Sequence, residues 1–204
     1  MAFNLFIKGF FLVLVAYLSG SLPCGLILTK CFTSVDIRKQ GSGNIGATNV
    51  RRTAGNLLGA LTLGGDVLKG ALPVYFAMRL LPETVPGREV YLGLVALAAF
   101  SGHLYPIYLG FKDGGKGVAT TAGCFLMLSP WAALVALLVF ILGVCSFNRV
   151  SVGSLGAAAV LPLAVWKATG TPFLTGSSAL IAVLIIYRHS DNIKRLISGQ
   201  ESQL

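Results

Sequence analysis

The sequence predicts an all-α polytopic membrane protein with about seven transmembrane helices, N-terminus outside and C-terminus inside. Three observations predict it. First, of 204 residues 55% are hydrophobic and 11% charged, against about 25% charged in soluble domains. A chain this short with so little charge cannot cover a globular surface, so lipid is the expected solvent. Second, apolar stretches recur at bilayer-spanning length along the whole chain. Third, the basic residues are distributed unevenly among the connecting segments.

The stretches fall at 4–29, 56–81, 89–110, 117–129, 131–147, 152–168 and 173–188. The first begins in an apolar run that faintly resembles a lipoprotein signal before Cys24. Pro23 directly precedes that cysteine and the apolar run resumes beyond it, so a retained first helix is expected. Pro82 and Pro86 close the second stretch, and Gly114-Gly115 opens the fourth. Pro130 divides the fourth from the fifth, and Gly170 with Pro172 separates the last two. Small residues such as Gly55 and Gly59, or Gly153 and Gly156, suit close helix approach. A single domain, 1–204, is expected, with no internal repeat.

Orientation follows from Lys and Arg. One set of alternate segments carries Lys30, Arg38, Lys39, Arg51, Arg52, Lys112, Lys116, Arg149, Arg188, Lys194 and Arg195. The other carries only Lys8, Arg79, Arg88 and Lys167. The richer set marks the cytoplasmic side of the membrane. The net charge of +9 therefore reads as positive-inside bias and as affinity for anionic headgroups or phosphorylated substrates. No basic run resembles a nucleic-acid arm. Cys24, Cys31, Cys124 and Cys145 form no C-x-x-C pair and are expected as reduced, small core hydrophobes.

Every unusual polar segment falls on that same inner face. The segment 41-GSGNIGATNVRR-52 combines glycines, which let backbone N–H groups approach an anion, with Ser and Asn donors and an arginine pair suited to phosphate. Its bland alternative is a glycine-rich loop with positive-inside arginines. The segment 111-FKDGGKGVATTAG-123 leads from a lysine and glycines into an apolar helix, a natural phosphate site at a helix N-terminus. It is not a Walker A loop, since Lys116 is followed by Gly117. A plain turn is its alternative. In 187-YRHSDNIKRLISGQE-201, His189 and Asn192 lie three apart, on one face if helical. A solvated amphipathic tail is the alternative there.

Asp66 and Lys69, within the second stretch, are expected as a buried structural pair near the site. His103 is either a packing or a catalytic histidine. Ser151 and Ser154 open the sixth stretch, where serines also serve as caps.

These residues together resemble the membrane glycerol-3-phosphate acyltransferases that use acyl phosphate, the PlsY family. The resemblance covers nearly the whole chain: 19-SGSLPCG-25, 41-GSGNIGATNVRR-52, 66-DVLKGALPV-74, 102-GHLYPIYLGFKDGGKGVAT-120, 151-SVGSL-155 and 188-RHSDNIKRL-196. It implies transfer of a fatty acyl group from acyl phosphate to glycerol 3-phosphate, giving 1-acyl-glycerol 3-phosphate and inorganic phosphate, by an enzyme of phospholipid synthesis with no cofactor or metal. A monomer in the lipid bilayer is expected. The resemblance implies catalytic roles for Ser42, Asn44, Arg52, Lys116, His189 and Asn192. It implies substrate contacts for Gly43, Thr48, Asn49, Gly114, Gly115, Gly117, Thr120 and Ser151, and a structural role for Glu201. The family loop usually reads FKGGKG, and here Asp113 adds a residue before the glycines. The residues before Ser151 are Asn148-Arg149-Val150, where the family has an aromatic.

Acyl phosphate is already activated, so the enzyme must place the glycerol hydroxyl and stabilise an oxyanion beside two phosphates. His189 has a suitable reference pKa, about 6.5, for a general base. A substrate phosphate with a second pKa of about 6 is the other candidate, with His189 orienting a phosphate. The competing class, a transporter for a phosphorylated anion, would favour a midplane site on broken helices and inverted repeats.

Overall fold

The computed structural model describes residues 2–204. They are helical, with no strand among the described residues. The chain divides into two compact units, one ending at Cys124 and the other beginning at Phe125.

In the first unit, α1 (Ala2–Gly20) and α2 (Cys24–Phe32) lie where one continuous helix over 4–29 was expected. They meet at a 41° bend. Pro23 lacks an N–H and ends the i→i−4 ladder. The Leu22 carbonyl exposed by the break accepts a hydrogen bond from Lys69 Nζ at 2.7 Å. Helix α3 (Ala47–Ala54) is short, α4 (Asn56–Leu80) is the longest, and α5 (Arg88–Leu104) runs into a 3₁₀ turn, Ile107–Leu109. α6 (Val118–Leu128) starts in this unit. Its 11 residues rise only about 16 Å, half the hydrocarbon thickness.

Small residues bring these helices together. A Cβ on Gly20 would stand 2.0 Å from the Ala99 carbonyl oxygen, and one on Gly102 would stand 2.3 Å from that of Tyr17. The α1 and α5 backbones therefore touch, as small residues allow in membranes. Gly70 against the Thr120 carbonyl and Gly123 against that of Val67 do the same for α4 and α6. A small cluster of Leu26, Ile37, Ile45, Val50 and Leu58 pins the loop between α2 and α3 by burying its two isoleucines, with Val35 packed against the cluster.

In the second unit, α7 (Pro130–Phe147) and α8 (Val150–Thr169) form a tight antiparallel pair, followed by α9 (Pro172–Arg188) and α10 (Ser190–Ile197). Asn148 makes the α7–α8 turn in the left-handed region, φ 53°, which Asn tolerates better than most residues. Gly143 and Gly153 face each other so closely that a Cβ on the first would lie 2.9 Å from Cα of the second. On α7 only Ala132 is fully buried, the pattern of a helix bathed in lipid. Trp131, Trp166 and Lys167 gather at the end of this pair away from the turn, the composition of a membrane–water interface.

Among the described residues, four helices are long and apolar enough to cross a bilayer: Asn56–Leu80, Arg88–Leu109, Pro130–Phe147 and Val150–Thr169. Counting each of the bent pairs α1–α2 and α9–α10 as one span brings the number to six. The expectation for the cysteines needs correction. All four are free and Cys124 is buried, but Cys31 and Cys145 are exposed, so they face outward rather than into a core.

Candidate active site

The first polar loop is organised by Asn49. It is 2% exposed, and its Oδ1 accepts the Ser42 N–H at 2.9 Å. Its Nδ2 donates to the carbonyls of Ile37 at 3.0 Å and Gln40 at 3.1 Å. Asn44 makes a local turn, with Oδ1 accepting the Gly46 N–H at 2.9 Å. Asn44, expected as catalytic, and Asn49, expected against substrate, both hold the loop's own backbone through these bonds. Ser42 and Arg52 are exposed, and Gly43 and Thr48 half-buried, so this loop presents its hydroxyls and its arginine outward. Asp36 accepts two bonds from Arg38, Nε to Oδ1 and Nη2 to Oδ2, each 3.0 Å. The Arg38 side chain and N–H hold its carboxyl down at about 2.

The glycine loop lies flat on the C-terminal end of α5. Gly114, Gly115 and Gly117 are buried, while Lys116 is half-buried. The Gly115 N–H donates to the His103 carbonyl at 3.1 Å. A Cβ on Gly114 would be 1.9 Å from the Leu104 carbonyl oxygen, and one on Gly115 would be 2.1 Å from His103 Nε2. Gly117 has φ 81° and is pressed against the Phe100 ring, so only glycine fits. Their buried Cα positions serve close packing against α5, and the Gly115 N–H donates to the protein's own backbone. Asp113, φ 55°, turns outward with Oδ2 3.8 Å from Arg38 Nη1, so the extra residue is accommodated by a left-handed turn before the glycines.

Behind the loop is a buried polar group. Lys69 Nζ and Asp66 Oδ1 are 2.9 Å apart, both residues 4% exposed, as expected for a structural pair. His103 Nδ1 lies 3.9 Å from Asp66 Oδ1 and 3.2 Å from Thr120 Oγ1. Thr120, expected against substrate, is fully buried with its hydroxyl on this histidine.

In the second unit, His189 caps α10, its carbonyl accepting the Ile193 N–H at 2.8 Å, and both it and Asn192 are buried. It occupies the 56° break between α9 and α10. Its Nδ1 lies 2.8 Å from the Ile185 carbonyl oxygen. A carbonyl only accepts, so Nδ1 carries a proton, which leaves Nε2 as the acceptor whenever the ring is neutral. Asn192 Nδ2 donates to Glu201 Oε1 at 2.6 Å and Arg195 Nε to Oε2 at 2.8 Å. Arg149 Nε donates to the Glu201 carbonyl at 3.1 Å, and the Leu204 N–H donates to that of Asn148 at 3.0 Å. The final residues are therefore folded back onto the start of α8 rather than forming a solvated tail. Burial pushes the Glu201 carboxyl up, but Asn192, Ser151 and Arg195 outweigh it and hold it below the usual range. The buried Ser151 Oγ lies off hydrogen-bond geometry among the described residues, so its influence on Glu201 is that of a nearby dipole.

Sequence reasoning did not find Arg149, Arg195 or the Leu22–Lys69 bond as elements of these supports. The one available signal was Pro23, which exposes a carbonyl forty-seven residues before its donor.

Residues 10–199 match the family described as Glycerol-3-phosphate acyltransferase. A protein of that description from Syntrophotalea carbinolica is 50% identical over 194 residues, covering 95% of this chain and 96% of its own. One from Geobacter sulfurreducens is 48% identical, with 94% and 95% covered. Among solved structures, the glycerol 3-phosphate form of PlsY (YgiH), an integral membrane glycerol 3-phosphate acyltransferase, superposes with a TM-score of 0.90. The two are 38% identical, with 97% of this chain and 96% of that one covered. The lysophosphatidic acid form gives 0.87, also at 38% identity, with 97% and 95% covered.

Proposed function

The chain belongs to the glycerol-3-phosphate acyltransferase family, and from that premise we propose that its donor is acyl phosphate and its products are 1-acyl-glycerol 3-phosphate and inorganic phosphate. The acceptor hydroxyl oxygen attacks the acyl carbonyl carbon. The bond from that carbon to the phosphate oxygen breaks, and the electron pair leaves with phosphate. The hydroxyl proton passes to a phosphate oxygen, whose second pKa is about 6. The observation that carries this reading is the likeness, over nearly the whole chain, to a protein solved in a glycerol 3-phosphate form and a lysophosphatidic acid form.

Within that reaction, Lys116 neutralises the acceptor's phosphate, while Arg52 and Ser42 contact substrate from the first loop. His189, its tautomer set by the Ile185 carbonyl, accepts a hydrogen bond from a protonated phosphate through Nε2 and orients it. Asn192 and Ser151 support that segment. The protein works as a monomer in a bacterial inner membrane, with the short α6 as a seventh crossing beside the six, N-terminus out and both basic loops facing the cytoplasm. The positive-inside bias supports that orientation.

Purified protein in detergent is given acyl phosphate and glycerol 3-phosphate, without CoA or added metal. Stoichiometric phosphate and 1-acyl-glycerol 3-phosphate, lost in Lys116→Ala, are expected. A folded sample that turns over only with acyl-CoA or acyl carrier protein would overturn the donor assignment. His189→Gln retaining wild-type turnover excludes His189 as base. Loss of turnover with glycerol 3-phosphate binding intact counts against transfer of the proton to substrate.

A further inference from the structure

We propose that His103 is a positioning residue for the glycine loop, setting the affinity for the phosphate of glycerol 3-phosphate without touching it. The inference rests on the reading that this loop binds that phosphate. Glycine-rich backbone has no side chains with which to anchor itself and is entropically the least inclined to stay in one place. Something else must fix it, and His103 meets it in two ways. Its carbonyl takes the Gly115 N–H at 3.1 Å, and its ring fills the space where a Gly115 Cβ would stand.

The ring is itself held. Nδ1 is 3.2 Å from Thr120 Oγ1, in the first turn of the helix that follows the loop, and 3.9 Å from Asp66. Asp66 is paired to Lys69, which is tied to the Leu22 carbonyl. His103 therefore touches the loop and the start of α6 at once, fixing the span between them against a buried ion pair. At 4% exposure it acts through the loop.

The test uses the full-length protein, with KM for glycerol 3-phosphate, kcat, and binding of glycerol 3-phosphate by thermal shift. Gly115→Ala and His103→Ala each raise KM about tenfold, equivalent to about 1.4 kcal/mol, with kcat within about threefold. The double variant is no worse than Gly115→Ala alone, because removing the ring opens the space that the added methyl needs. That is the non-additivity expected of groups in contact. Thr120→Ser, which keeps the hydroxyl, recovers most of the KM lost in Thr120→Val. Factors that multiply in the double variant, or a fall in kcat at unchanged KM, overturn the proposal. If His103→Ala does not fold, the Thr120 pair decides, and equal KM in Ser and Val variants overturns it. A Lys116→Ala variant with unchanged KM would instead bring down the underlying reading of the loop.

Discussion

The glycine loop and the C-terminal segment from His189 to Leu204 both carry family motif residues, yet they are held by opposite means. The loop is shaped by missing side chains: its glycines lie against the end of α5, and the polar support is one layer back, in Asp66, Lys69, His103 and Thr120. The C-terminal segment is held by a side chain, the Glu201 carboxylate, which gathers Asn192 and Arg195 directly. A charge inside the bilayer has no water to fall back on, whereas a carboxylate at a loop does. The two supports should therefore fail differently.

The largest effect is expected at Asp66. Asp66→Asn leaves the Lys69 ammonium buried without its counter-charge, a loss of about 3–5 kcal/mol, read as reduced yield and a lower Tm in detergent. The double variant D66L/K69M should recover only part of this, because the Leu22 carbonyl then loses the Lys69 bond and keeps only the Cys24 N–H. Full recovery would show that the pair, rather than the bond to the α1–α2 break, is what matters.

Glu201→Ala should cost about 1–3 kcal/mol through the lost bonds to the Asn192 amide and Arg195 guanidinium, and should open residues 199–204 to carboxypeptidase while α4–α5 stays protected. Because the folded Glu201 carboxyl titrates below its ordinary value, its contribution is complete above the unfolded pKa of about 4.3 and is lost as pH falls through the lower folded value. Tm measured from pH 7 to pH 3 should drop at the acid end for the wild type and less for Glu201→Gln. An identical acid limb in both would remove Glu201 from the account.

Asp113→Asn, at the exposed 3.8 Å contact with Arg38, should change stability by less than about 1 kcal/mol. Its small effect should vanish at high salt. A larger loss would mean that the extra loop residue does more than turn the chain.

The sequence made the helical class, the placement of α4 through α9 and the Asp66–Lys69 pair readable, because hydropathy and intramembrane charge are one-dimensional signals. It also brought out the motif segments, since glycine and asparagine are conspicuous in an apolar chain. What it hid was direction. Nothing in 41–49 says that Asn49 turns inward to serve Ile37 and Gln40 while Ser42 turns out. Nothing in the spacing of His189 and Asn192 says that a helix break falls at His189 itself. Thr120 reads as another polar residue beside a glycine loop, and only packing of α4 against α6 turns its hydroxyl onto His103. Cys31 and Cys145 sit in apolar surroundings either way, because in a membrane the outside is as apolar as the core.

The bond from Lys69 to Leu22 also has a history in time. Leu22 leaves the ribosome forty-seven residues before its partner, a delay of several seconds at about 5–20 residues per second. During that interval the carbonyl at the break has only the Cys24 N–H, 3.0 Å away, and water or the insertion machinery must serve its second lone pair. The second long helix then arrives as both a wall and a plug: its lysine, already neutralised by Asp66 one turn earlier, completes a segment made long before it.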